Sequence, residues 1–97
     1  MTVVDSPASG EVADDEISTV AAGRTRLDAI DEQIRGLVAA RREVSAQVQQ
    51  LRRAAGGPRI EHARENEIVA RYGDALGRPG VSLALAILEI CRGHTGT

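Results

Sequence analysis

The sequence predicts an all-α fold with one long N-terminal helix and two short helices. Two observations support this prediction: the periodic spacing of apolar residues between Glu16 and Ala55, and two clusters of helix-breaking residues after it. With one Tyr and neither Phe nor Trp, the core must be aliphatic, and 97 residues permit one small domain. A small core without large aromatic side chains favours oligomerisation, which buries further apolar surface.

The charge pattern separates residues 1–15 from the rest of the chain. They carry four carboxylates and no basic residue, and they include Pro, Gly and Ser, which predicts a disordered acidic tail before a helical domain at 16–97. A net charge of −2 gives no general reason to expect binding to nucleic acid or to an anionic membrane. No signal-like or membrane-spanning pattern is evident, so the expected location is the cytoplasm. The single Cys91 excludes an intrachain disulfide and a multi-cysteine zinc site.

The long helix is predicted from apolar residues that recur at alternating spacings of three and four. This apolar seam consists of Ile17, Val20, Leu27, Ile30, Ile34, Leu37, Val44, Val48, Leu51 and Ala55. A helix over Glu16–Ala55 would be roughly 60 Å long, too long to bury its seam within one small chain. It therefore needs a partner helix, and the cluster Gly56-Gly57-Pro58 is expected to end it.

Two short helices are predicted after this break. The first is expected at about His62–Tyr72 and the second, very apolar, at Val81–Cys91. The cluster Gly77-Arg78-Pro79-Gly80 is expected to separate them.

Two arginines, Arg24 and Arg41, continue the spacing of the apolar seam. A guanidinium in a core stripe is costly unless it reaches solvent, pairs with a carboxylate or meets an anionic ligand, and these alternatives remain open. The two residues would be about 25 Å apart along one helix, so one small ligand cannot touch both from the same chain. If two copies pack antiparallel, Arg24 of one chain approaches Arg41 of the other, which creates two equivalent anion sites.

Further charged residues are predicted near Arg41. Arg52 follows it by about three helical turns and projects from nearly the same face. Arg64 and Glu65 fall in the first turn of the second helix, where the helix dipole already favours anions. Glu65 either accepts a hydrogen bond from a ligand hydroxyl or simply serves the helix dipole.

This order and spacing of charged residues resembles the all-helical chorismate mutase family, most closely its short actinobacterial subclass. The motif reads Arg24-x6-Asp31-x9-Arg41-Arg42-x9-Arg52, followed by Gly57-Pro58-Arg59-Ile60-Glu61-x2-Arg64-Glu65. The resemblance implies an intertwined antiparallel homodimer that converts chorismate into prephenate by a Claisen rearrangement, without cofactor or metal, in phenylalanine and tyrosine biosynthesis.

The resemblance also implies the site residues. Arg52 and Glu65 would be catalytic, and the substrate-binding residues would be Arg24, Arg41, Arg64 and Glu61. Arg24 would come from the partner chain, Arg52 would face the ether oxygen, and Glu65 would meet the ring hydroxyl, with Glu61 nearby. By contrast, His62 is expected to be a surface residue, and Tyr72 and Cys91 are expected to be packing groups.

The chain departs from the family pattern in three places. Many members have Lys at the position of Arg52, which changes the shape of the donor. Larger members have a Ser and a Gln or Glu on the last helix, where this chain offers Glu89 or Arg92. In the short subclass a weak mutase gains activity by docking onto DAHP synthase, which implies a complex with that enzyme. The ending His94-Thr95-Gly96 differs, however, from the basic residue, Leu and Gly expected there.

Three alternatives remain at the level of sequence. Two are enzymes of the same fold, an isochorismate-pyruvate lyase and an aminodeoxychorismate mutase. The third is a helical dimerisation module without catalysis, in which the seam arginines set the register. Glu65 beside Arg64 favours the ordinary mutase, whereas the extra carboxylate of Glu61 would also suit an ammonium group.

Overall fold

The computed structural model describes residues 16–57 and 61–92, and within these ranges the regular structure is entirely helical. Helix α1 spans Val20–Ala54, α2 spans His62–Leu76 and α3 spans Arg78–Arg92. The predicted all-α fold with one long and two short helices is confirmed. The predicted disordered tail at 1–15 lies outside the described residues.

Helix α1 begins four residues later than predicted. The hydroxyl of Thr19 accepts a hydrogen bond from the backbone N–H of Ala22 at 3.0 Å, so Thr19 caps the helix N-terminus. Ile17 continues the apolar spacing but precedes this cap. The apolar periodicity alone therefore predicted a helix start that precedes the capping residue Thr19.

The C-terminus of α1 lies where the glycine pair predicted it. Gly56 has a φ of 79°, a conformation that favours glycine. Its N–H donates to the carbonyl of Arg53 at 3.1 Å, and the N–H of Gly57 donates to the carbonyl of Arg52 at 2.8 Å. These two bonds form a Schellman motif, which satisfies carbonyls that the helix end leaves without partners. Pro58, the third residue of the predicted break, lies outside the described residues.

The second break is shorter than predicted. Only Gly77 separates α2 from α3; its φ is 79° and its N–H donates to the carbonyl of Gly73 at 2.8 Å. The prediction that Arg78, Pro79 and Gly80 lie in the break was wrong, because all three belong to the first turn of α3. Proline is compatible with that position, since the N–H that it lacks would have no partner inside the helix there.

The buried core lies between α2 and α3. Among the described residues, the buried hydrophobic side chains are Ile68 from α2 and Ala84, Ile87, Leu88 and Cys91 from α3. Gly80 allows the two helices to approach closely. A Cβ atom at Gly80 would lie 2.8 Å from the Cβ of Leu76 and would also collide with the carbonyl oxygen of Tyr72.

The tertiary contacts divide the chain into two compact units, Met1–Gly36 and Leu37–Thr97. None of the α1 residues, all of which the structure describes, is buried. The large apolar residues of the seam on α1 are between 40% and 71% exposed. A single chain therefore leaves the seam open to solvent, as its length predicted. None of the helices in the described ranges is long and apolar enough to cross a membrane.

Candidate active site

A cavity of about 250 Å³ lies within the second unit. Its volume is slightly below the range typical of small-molecule sites. All three helices contribute to its wall. The lining residues are Arg41, Val44, Ser45, Val48, Gln49, Arg52, Glu61, Arg64, Glu65, Ile68, Leu88, Cys91 and Arg92. The structure thus brings together five of the six predicted site residues: Arg41, Arg52, Glu61, Arg64 and Glu65.

Helix α1 lines the cavity with one face. Arg41, Ser45, Gln49 and Arg52 follow one another at spacings of four, four and three residues, which places them on the same side of an α-helix. Sequence reasoning missed Ser45 and Gln49. The helical period that linked Arg41 to Arg52 passes through both, so the same argument could have identified them.

The start of α2 lies opposite the end of α1. Glu61 precedes the helix in an extended conformation, and its side chain makes no capping hydrogen bond. Instead, its carboxylate Oε1 lies 3.2 Å from Nη2 of Arg52. The Arg52 side chain is 24% exposed and that of Glu61 is 46% exposed. Two predicted site residues, one on α1 and the other immediately before α2, are therefore paired at the cavity wall.

The last turn of α3 reaches both of the other helices. Nη2 of Arg92 donates to Oε1 of Glu65 on α2 at 2.6 Å. Nη1 of Arg41 on α1 donates to Sγ of Cys91 at 3.1 Å. Cys91 is buried, as the packing prediction required, but its sulfur also accepts a hydrogen bond from a predicted site residue. Arg92, one of two residues considered for completing the site, lines the cavity, whereas Glu89 is exposed and does not.

The electrostatics of the cavity favour an anion, and its two carboxylates offer hydrogen-bond acceptors. Four guanidinium groups and two carboxylates line it, which gives a formal charge of +2. Guanidinium groups match carboxylates in a bidentate geometry, and a glutamate can accept a hydrogen bond from a hydroxyl. Val44, Val48, Ile68 and Leu88 add apolar surface for a carbon skeleton. In the described ranges, no group of three or more His, Cys, Asp or Glu side chains is arranged to hold a metal ion.

Arg24, His62 and Tyr72 are not among the residues that line this cavity. Arg24 is exposed in the first unit and contributes, with Val20 and Leu27, to a mostly apolar depression there. His62 is exposed and Tyr72 is half-buried, and neither lines the cavity in the second unit. Arg59, part of the family motif, falls outside the described residues.

The fold and the cavity define a class of protein, namely small all-helical proteins with an arginine-lined cavity suited to a compact anion. The sequence model of the family described as chorismate mutase type II matches residues 23–89. The chain is 40% identical over 73 residues to the intracellular chorismate mutase of Mycolicibacterium smegmatis, covering 75% of this chain and 70% of that protein. It is also 40% identical over 81 residues to the intracellular chorismate mutases of Mycobacterium bovis and Mycobacterium tuberculosis, covering 84% of this chain and 73% of each relative.

The chain belongs to the type II chorismate mutase family. Its reaction is the isomerisation of chorismate to prephenate, which serves the biosynthesis of aromatic amino acids. The predicted resemblance to the short actinobacterial members is confirmed by the mycobacterial relatives. Of the activities considered from the sequence, the ordinary mutase is the one that these findings support.

Proposed function

We propose that the cavity of the second unit is the place where chorismate is rearranged. The observation that carries this proposal is the convergence of Arg41, Arg52 and Arg64 with Glu61 and Glu65 on one cavity. Chorismate carries two carboxylates and a ring hydroxyl. Its two negative charges match the formal charge of +2 of the cavity, and the hydroxyl has a carboxylate acceptor available.

The five predicted site residues that line the cavity each have a role in this proposal. Arg41 and Arg64 bind the substrate carboxylates, and bidentate geometry fixes orientation as well as charge. Arg52 donates to the ether oxygen, and Glu65 accepts a hydrogen bond from the ring hydroxyl, with Glu61 beside it. The carboxylate of Glu61, 3.2 Å from Arg52, holds the guanidinium at the cavity wall before substrate arrives.

Catalysis follows from this arrangement without a covalent intermediate. In the Claisen rearrangement the C–O bond of the ether breaks while a C–C bond forms between the enolpyruvyl arm and the ring. The arginines hold the arm over the ring in a reactive geometry, which removes much of the entropic part of the barrier. Negative charge grows on the ether oxygen as its bond breaks, so a guanidinium there stabilises the transition state more than the ground state.

Activity with purified protein tests this assignment. Chorismate loss is followed by its absorbance, and Arg41→Ala is compared with Arg42→Ala. Arg42 is the adjacent residue, is exposed and does not line the cavity. We expect Arg41→Ala to lose most of the activity and Arg42→Ala to retain it. Equal activity of the two variants would remove the cavity from consideration as the active site.

We also propose that the enzyme is an intertwined antiparallel homodimer with two shared active sites. The exposed apolar seam of α1 supports this assembly, because two copies packed along it would remove a large apolar surface from water. In an antiparallel dimer, Arg24 of the partner subunit approaches Arg41 and supplies a further cation to the substrate.

Subunit mixing tests the shared site directly. An Arg24→Ala chain and an Arg41→Ala chain are each expected to be inactive alone. A mixed dimer would contain one site with both arginines and one site with neither, so mixing should restore activity. If proven subunit exchange restores none, each site is built from one chain.

A complex with DAHP synthase, located with the enzyme in the cytoplasm, is the final part of the proposal. The relatives named intracellular chorismate mutases support this location. The absence of a glutamine from α3 supports a site that is weak without a partner. Measurement of kcat/KM with and without DAHP synthase from the same organism tests the complex: we expect an increase, and an unchanged value would argue against it.

A further inference from the structure

The contact between Arg92 and Glu65 differs from an ordinary surface ion pair. Its N–O distance is 2.6 Å, and the side chains of Arg92 and Glu65 are only 34% and 22% exposed. The pair between Glu67 and Arg71, also on α2, has a distance of 3.7 Å and side chains that are 56% and 67% exposed. Short, partly buried charge-assisted hydrogen bonds restrict side-chain orientation far more than exposed pairs do.

We propose that Arg92 is a positioning residue that holds the carboxylate of Glu65 in the orientation needed to meet the substrate hydroxyl. The inference rests on the role proposed above for Glu65. The bond engages Oε1, and a carboxylate has about four acceptor sites on its two oxygens, so acceptor sites remain for the substrate. Arg92 thus completes the site from α3 by acting through Glu65.

The last turn of α3, which carries Arg92, is held in place by packing and by a hydrogen bond. Leu88 and Cys91 are buried, and Cys91 accepts a hydrogen bond from Arg41, so the backbone beside Arg92 is fixed to both other helices. A cation in this turn is also favoured by the negative end of the helix dipole. The Glu65 carboxylate therefore loses conformational freedom through a partner whose own position is set by core packing.

Positioning predicts a specific kinetic pattern. A small misplacement of a catalytic group costs up to about 100-fold in rate, so Arg92→Gln should lower kcat/KM by about 10- to 100-fold. The effect should not exceed that of Glu65→Gln, because Arg92 acts only through that carboxylate. Arg92→Lys keeps the positive charge and an N–H donor group, and we expect it to recover most of the lost activity.

A double-mutant cycle is the decisive experiment. The variants are Arg92→Gln, Glu65→Gln and the combination, with Arg71→Gln as the matched control at the exposed ion pair. Chorismate turnover gives kcat and KM for each, and thermal unfolding reports whether each variant is folded. We expect Arg92→Gln to have an effect of less than about two-fold when Glu65 is already glutamine, and Arg71→Gln to have none.

Several results would overturn the inference. Equal effects of Arg92→Gln in both backgrounds would mean that Arg92 acts independently of Glu65. A lower KM in Arg92→Gln would mean that the ion pair competes with substrate. If Glu65→Gln is impaired but Arg92→Gln is not, only the positioning role fails. Full activity of Glu65→Gln would instead refute the proposed role of Glu65, and the inference with it. If Arg92→Gln does not fold, Arg92→Lys is the variant that tests the inference. A folded Arg92→Lys enzyme with less than a tenth of the native kcat/KM would contradict it.

Discussion

Replacement of Arg52 by alanine removes the guanidinium proposed to face the breaking ether bond. Arg52 lies on the cavity wall at the end of α1, with Glu61 3.2 Å away. Loss of one preorganised donor at a site of developing negative charge typically costs 10²–10³-fold in kcat, which is about 2.7–4 kcal/mol. The Arg52 side chain is 24% exposed, so partial solvation weakens its effect, and we expect the lower end of this range, about 100-fold.

The division between kcat and KM distinguishes this role from simple substrate binding. An interaction made mainly in the transition state lowers kcat, whereas one that stabilises substrate and transition state equally raises KM. We therefore expect Arg52→Ala to lower kcat strongly, with a smaller change in KM. Arg52→Lys should retain more activity than alanine, because it keeps a positive donor in place of the guanidinium.

The assay is the initial rate of chorismate loss over a range of substrate concentrations. Arg53→Ala is the matched control, because Arg53 also lies in the last turn of α1 but is exposed and does not line the cavity. A folded Arg52→Ala enzyme with native kcat and a raised KM would refute the reasoning. In that case Arg52 binds substrate and does not act on the ether oxygen.

Two further predictions concern packing and charge. Gly80→Ala should destabilise the protein by about 1–3 kcal/mol, because its Cβ would collide with Leu76 and with the backbone of Tyr72. Gly36→Ala is the control: its Cβ would meet nothing within 4 Å, so thermal unfolding should show a neutral or stabilising effect, and equal destabilisation of both variants would contradict the packing argument. The KM for chorismate should rise as salt increases from about 0.1 M to about 1 M, because the Debye length falls from about 10 Å to about 3 Å. A KM that does not change with salt would mean that the arginines of the cavity contribute little charge attraction.

The helices could be predicted closely because their signals are local. Apolar spacing gave the extent of α1 to within a few residues, and Gly56 marked its end. The helix boundaries were predicted wrongly where a capping side chain or a proline, and not the apolar periodicity, sets the end of a helix. The Thr19 cap moved the start of α1, and Pro79 was assigned to a break although a first helical turn accepts proline.

The sequence by itself determined which charged residues share a helix face, since a period of 3.6 residues fixes that relation within any one helix. Arg41 and Arg52 on α1 follow from this rule, whereas Arg64 and Glu65 at the start of α2 were indicated by the family motif. Only the tertiary structure decided how α3 enters the site. Arg92 meets Glu65 across 27 residues, and Arg41 meets Cys91 across 50. No local pattern specifies such distant contacts. They depend on the close packing of α3 against α2 at Gly80 and on the burial of Ala84, Ile87 and Leu88, which bring the last turn of α3 to the cavity.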